Sequence, residues 1–188
     1  IGPVAGSAHI SIIYKMPGLK IFSPMTSMEY KRIYEKFMRS NDVFYVSEHR
    51  YSYSNKSEFK NDIKGKKDLI LMPISVTRFE AEKAKLELQK KGYKVGIIHL
   101  VNLKPFEIKR DWIEAIKKTK HGVLMTDNDY SDGILRILAH KINEATNKKV
   151  SVLGLKNRSA GHHKKVDNLP PNKTEIFNKV MSLIKKGK

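Results

Sequence analysis

Cysteine is missing altogether from the 188 residues. Its absence excludes disulfides, thiolate metal sites and cysteine nucleophiles, and leaves the redox compartment open. No apolar run approaches the roughly 20 residues that span a bilayer, so no membrane segment is expected. The glycine signatures of dinucleotide-binding folds and phosphate loops are also missing, so no nucleotide motif anchors a ligand. Arginine, the residue of bidentate phosphate and guanine contacts, is scarce beside lysine. The chain starts at Ile1, without a basic and apolar signal-like segment. That start suits a fragment or processed product, with a cytoplasmic location expected.

What is abundant is positive charge. Lys and Arg number 37 against 19 Asp and Glu, a formal net charge of +18. Such a balance points to a polyanionic partner such as nucleic acid. The basic residues are mostly lysine, run along the whole chain and fall on the polar faces of expected helices, which argues against nucleic acid. Hydrophobic content of 40% and charged content of 30% are those of a globular protein. The length allows one good core or two small ones.

Residues 1 to 18 are small, apolar and punctuated by Gly and Pro, with His9 between Ala8 and Ile10. A strand is expected over Leu19 to Phe22. Thr26-Ser27-Met28-Glu29 forms a capping box, and Tyr30, Ile33, Tyr34, Phe37 and Met38 recur at helical spacing. Val43 to Val46 reads as a second strand. This strand, helix, strand unit has the size of a right-handed crossover. Composition then turns polar towards Lys67, marking an interdomain linker at 56–67.

Leu69 to Ile74 is a nearly continuous apolar run, as in a strand covered on both faces. Thr77-Arg78-Phe79-Glu80 reads as a second capping box, opening a helix that stops at Gly92. The plan repeats: strands at Val95 to Leu100, Val123 to Thr126 and Val150 to Leu155, with helices between them. A terminal helix follows, capped by Thr174. Alternating strands and helices predict an α/β domain with a mostly parallel sheet and flanking helices.

Several residues invite chemistry. Asp127-Asn128-Asp129-Tyr130-Ser131-Asp132-Gly133 suggests a calcium loop, but the glycine falls one place late and Leu138 stands where a bidentate Glu belongs. A strand-to-helix turn capped by Ser131 or Asp132 is the better reading. His162-His163 lacks a third metal ligand at a suggestive spacing. Glu48 and His49, side by side on a strand, point to opposite faces and share no proton. His9 in its small-residue loop is open to two readings, an ordinary structural histidine or a group that approaches a ligand.

Gly6-Ser7-Ala8-His9, Met16-Pro17-Gly18-Leu19-Lys20-Ile21 and Ser23-Pro24-Met25-Thr26 resemble, in order, the segment of thiamine-diphosphate enzymes reading QHSQ, PGLKVV, PST. Val43 to His49 with Tyr51 resembles their strand ending in LEH and followed by Tyr. His99-Leu100-Val101-Asn102-Leu103-Lys104-Pro105-Phe106 is similar to their DLRTLKPL signature, with His99 in place of Asp and Val101 in place of Arg. The family is the beta subunits of the 2-oxo acid dehydrogenase decarboxylating component, acetoin dehydrogenase included. Transketolase is more distant kin.

The resemblance implies that residues 1–55 end a pyrimidine-binding domain and 68–188 form a transketolase C-terminal domain. It implies thiamine diphosphate and magnesium as cofactors, held mostly by parts absent here, and His9 as the catalytic loop histidine. It further implies an alpha-type subunit, a second beta subunit and an acyl-carrier component as partners. Oxidative decarboxylation or ketol cleavage is the expected reaction of the complete enzyme, with the isolated chain inactive. A non-catalytic assembly module is the alternative. The family's flanking Gln residues are Ala8 and Ser11 here, and its Glu before a glycine-rich turn is Asp127. Its DxPxPY element corresponds to Asn157 to Lys164.

Overall fold

The computed structural model describes residues 10–158 and 167–186. A short helix α1 (Ile10–Ile13) leads into β1 (Leu19–Phe22), α2 (Ser27–Met38) and β2 (Val43–Val46). β1 and β2 pair in parallel, from Leu19 opposite Val43 to Phe22 opposite Val46. α2 starts where the capping box predicts, with the Thr26 hydroxyl accepting from the Glu29 N–H at 3.3 Å. The reciprocal arm goes elsewhere, because the Glu29 carboxylate accepts from the Met25 N–H at 2.9 Å. Glu58 supplies further acceptors, to the Thr26 hydroxyl at 2.5 Å and the Met28 N–H at 3.0 Å. The polar segment at 56–67 thus caps a helix more than 25 residues before it.

The second sheet is built from β3 (Leu69–Pro73), α3 (Thr77–Lys90), β4 (Val95–Ile97), β6 (Val123–Tyr130), α5 (Ile134–Thr146) and β7 (Val150–Leu155). Its order is β4-β3-β6-β7, with every pair parallel. β3 is central and buried throughout because it is apolar on both faces. Ile70 and Met72 join the core under α4 (Arg110–Lys117) and α5, while Leu69 and Leu71 join the one under α3 and α6 (Lys173–Lys186). No helix among the described residues is long and apolar enough to cross a membrane.

Three expectations are corrected. The apolar stretch from Val95 is not one strand: β4 stops at Ile97, Leu100 bridges Ile74, and β5 (Asn102–Lys104) pairs antiparallel with β1 in the other sheet, ordered β2-β1-β5. The chain changes sheets there, with the Ser23 N–H donating to the Val101 carbonyl at 2.8 Å. The second capping box does not form. Ser75 takes φ 51°, Val76 occupies the cap, and the Thr77 hydroxyl donates to the Ile74 carbonyl at 2.7 Å. α6 is capped by Asn172, not Thr174: the Asn172 side chain accepts from the Glu175 N–H and Glu175 accepts from the Asn172 N–H, both at 3.0 Å.

Leu71, wholly buried in β3, tests this account of the core. Leu71→Ala is expected to cost about 2–5 kcal/mol, read as a lowered urea midpoint by Trp112 fluorescence.

Candidate functional site

Chain connectivity singles out one end of the second sheet. From β3 the chain steps outward to β4, and from β6 it steps to β7 on the other side. The crevice at the carboxyl ends of β3 and β6 is therefore the topological switch point, where open α/β sheets place ligands. Thr77 and Thr126 meet, buried, at this end of the sheet, the Thr126 hydroxyl donating to Thr77 Oγ1 at 2.9 Å. Beyond Thr126 the strand carries Asp127, Asn128 and Asp129, all buried.

Asp127 Oδ1 accepts from the Asn128 N–H at 2.8 Å, while Asp127 Oδ2 and Asn128 Oδ1 are buried without a hydrogen-bond partner among the described residues. Burial, then the neighbouring Asp129 carboxylate, pushes the Asp127 carboxyl up to about 8. It keeps its proton at neutral pH. Asp129 is held differently. Its Oδ1 accepts from the Tyr130 N–H at 2.7 Å, and its Oδ2 accepts from the backbone N–H of Ser11 at 3.2 Å and from the Ser11 hydroxyl.

The Ser11 hydroxyl in turn accepts from the Ile134 N–H at 2.9 Å. That bond caps α5. The expected caps are employed elsewhere: Ser131 Oγ accepts from the Gly154 N–H at 2.9 Å, and Asp132 pairs with Arg136 at 3.3 Å in solvent. Gly133 makes the approach possible, because a Cβ there would lie 2.1 Å from Ser11 Oγ. Ser11 thereby ties α1, the helix just after His9, to β6 and α5. His9 itself lies outside the described residues, as do His162 and His163.

A second polar cluster joins the two sheets. Arg78 in α3 is fully buried and grips Glu29 of α2 with both arms, Nη1 to Oε2 at 2.7 Å and Nη2 to Oε1 at 2.5 Å. Its Nε–H donates to His99 Nδ1 at 3.3 Å, which places the histidine proton on Nε2, facing Glu82 Oε1 at 3.0 Å. Phe59 stacks on the His99 ring at 4.6 Å, and Arg78 Cζ lies 4.5 Å from the Phe59 centroid. Burial pushes Glu29 up, but the Arg78 hydrogen bonds and charge outweigh it and leave the carboxyl below its ordinary range. Burial holds His99 below its ordinary value against the opposing pull of Glu82.

Arg78 was not singled out from sequence. The available signal was a scarce residue type placed directly after an apolar strand, together with His99 where the resembling family has Asp. Glu48 and His49 stand beyond the end of β2 and not on it. Glu48 accepts from Tyr34 at 2.7 Å and Tyr53 at 2.9 Å, and His49 Nδ1 accepts from the Tyr51 N–H at 3.2 Å, so they share no proton. Among the described residues no group of three or more His, Asp or Glu side chains is placed to hold a metal ion.

A mostly parallel sheet flanked by helices, with its switch crevice on this edge, defines a class. Residues 60–170 match the family described as Transketolase, C-terminal domain, and the chain belongs to it. Within the wider group it is similar to the Pyruvate dehydrogenase E1 component subunit beta of Mesostigma viride, 26% identical over 159 residues, covering 77% of this chain and 48% of that protein. The subunit of the same name from Staphylococcus aureus (strain COL) is 26% identical over 165 residues, covering 76% and 50%. The chain spans about half the length of the curated relatives it matches. Among solved structures, "Split gene transketolase, inactive beta4 tetramer" aligns with a TM-score of 0.74 at 17% identity, covering 95% of this chain and 61% of that one. Transketolase from Campylobacter jejuni aligns at 0.70 and 16% identity, covering 96% and 29%. At these identities the structures show the fold alone. The resemblance to transketolase-like beta subunits, drawn from short motifs, is thus matched by the family and by relatives aligned over about three quarters of this chain.

The two clusters respond oppositely to substitution. Arg78→Met strands a buried carboxylate and is expected to cost about 3–5 kcal/mol, with Glu29→Gln added to it recovering most of the loss in urea denaturation. Stability tied to the Asp127 proton is full below the ordinary value of 3.8 and is lost as pH rises towards about 8. Asp127→Asn is therefore expected to match the parent in Tm near pH 4 and to exceed it at pH 8, by about 2–4 °C for each kcal/mol recovered.

Proposed function

We propose that this chain is the C-terminal portion of a thiamine-diphosphate-dependent, transketolase-like beta subunit, cytoplasmic and acting in decarboxylation of a 2-oxo acid or cleavage of a ketol. The observation that carries the reading is the family match over 60–170 combined with the two sheets locked across Arg78. In this reading residues 1–55 complete a pyrimidine-binding domain, 56–67 join the two, and 68–188 form the C-terminal domain. The relatives named as beta subunits support an alpha-type partner; in this reading the assembly also holds a second copy of the subunit and an acyl carrier that accepts the product.

When bound, the cofactor supplies the electron sink for the carbanion. In this reading magnesium and the diphosphate are held mostly by other parts of the assembly. This chain's part is to present His9, a group suited to move a proton at the substrate oxygen near neutral pH. The Ser11 to Asp129 contact anchors α1, the helix that follows His9 in the sequence.

Turnover assays test the reading. The purified chain with thiamine diphosphate and magnesium is expected to give no product from pyruvate. Activity is expected once an alpha-type subunit and the missing part of the first domain are supplied. In that reconstituted assembly His9→Ala is expected to lower kcat about 100-fold or more with a smaller change in KM. Turnover by the chain alone would overturn the proposal.

A further inference from the structure

All four strands of the second sheet begin at the same edge, opposite the switch crevice, and the segments feeding them are lysine-rich. Residues 64–67, 90–94, 117–120 and 148–149 hold eleven lysines and no arginine. Along the sequence these lysines look dispersed. The topology gathers them into one rim.

Backbone hydrogen bonds make that rim continuous. The Asp68 N–H donates to the Lys94 carbonyl at 2.7 Å, the His121 N–H to the Asp68 carbonyl at 2.8 Å, and the Val123 N–H to the Lys149 carbonyl at 3.0 Å. At Gly122, with φ 76°, a Cβ would lie 2.0 Å from the Lys149 carbonyl oxygen, so the segments touch directly. At one end, Lys64, Lys66, Lys67 and Lys94 surround an open basin of ≈ 420 Å³ with Gln89 and Tyr93.

Part of this charge is neutralised within the protein. Lys67 pairs with Asp62 at 2.6 Å and Lys120 with Asp68 at 3.4 Å, while Lys148 Nζ keeps its charge but is engaged by the Thr119 carbonyl at 2.8 Å. Lys90, Lys91, Lys117 and Lys118 end or cap helices, where the helix dipole already favours a cation. Neither account covers Lys64, Lys66, Lys94 and Lys149. They are exposed, lie in strand-entry loops, and have no acidic partner among the described residues.

We propose that this rim is a docking surface for an acidic protein segment rich in Asp and Glu. Like-charge crowding on one edge is unfavourable by itself and is relieved by a partner of opposite sign, which the field also steers inward. Nucleic acid fits less well. The rim has no arginine to fork onto phosphate, and its one phenol, Tyr93, is half-buried, so no platform for stacked bases is offered. The rim and the switch crevice stand at opposite ends of β6, on the order of 20 Å apart, so both can be occupied at once.

The proposal stands or falls separately from the catalytic reading, because its test needs no turnover. Poly-L-glutamate is titrated into the full chain, a rim variant (K64Q, K66Q, K94Q and K149Q together) and a control variant with equal charge loss elsewhere (K15Q, K31Q, K109Q and K141Q). Affinity is expected to fall about tenfold or more in the rim variant and about twofold or less in the control. Amide shifts in a nitrogen-15 correlation spectrum are expected to concentrate at Gly65, Gly92 and Gly122. Equal losses in the two variants would mean attraction to net charge alone and would overturn the proposal. Tighter rim binding by an oligothymidylate of matched charge would overturn it in favour of a nucleic acid.

Discussion

A guanidinium with no access to water sets the terms for much of this molecule. Arg78 carries a permanent charge into the interior, a placement that costs several kcal/mol unless every donor is met. Its partners come from separate parts of the chain: Glu29 from α2, His99 from the turn after β4, and the Phe59 ring from the segment between the sheets. Each partner is then fixed by something else. Glu29 holds the entry to α2 through the Met25 N–H, and His99 is braced by Glu82 and by its own N–H, which donates to Asn61 at 2.9 Å. The two sheets share here a polar joint whose members are held by one another. Because Glu29 and His99 are both held below their ordinary values, this joint favours the fold at neutral and higher pH, whereas the protonated Asp127 favours it at lower pH.

Much of the architecture was legible in the sequence. The apolar run at Leu69 and the helix stripe at Leu138 reported local periodicity, which burial enforces directly, whereas in α2 Ile33 is buried and Tyr34, Phe37 and Met38 of the expected stripe are exposed. The misses have a common cause. β5 exists only because β1 offers it an open edge, and nothing between Val95 and Lys104 encodes that distant partner. Thr77 satisfies the capping pattern in letters, yet an αL residue at Ser75 turns its hydroxyl inward to the Ile74 carbonyl. Ser131 and Asp132 were plausible caps for α5, but Ser11, 123 residues earlier, reaches that N–H first. Sequence patterns report neighbours along the chain, and these contacts are set by neighbours in space.

The candidate site divides along the same line. Asp127 was noticed for its place in a motif, while its unpartnered oxygen and raised pKa depend on the packing around β6. The lysines likewise looked like ordinary helix-face charge until the strand order brought their segments to one edge.

The Ser11 contact also bears on when the protein becomes competent, and not only on its final shape. α1 is made well before its anchor, because Asp129 and Ile134 follow it by more than 100 residues. On the ribosome α1 therefore waits, unanchored, while β3, α3 and β4 emerge, since domains assemble from contacts already synthesised. Closing so long a loop is slow compared with forming the helices it spans. The anchoring of α1 thus has to await the completion of β6 and the start of α5.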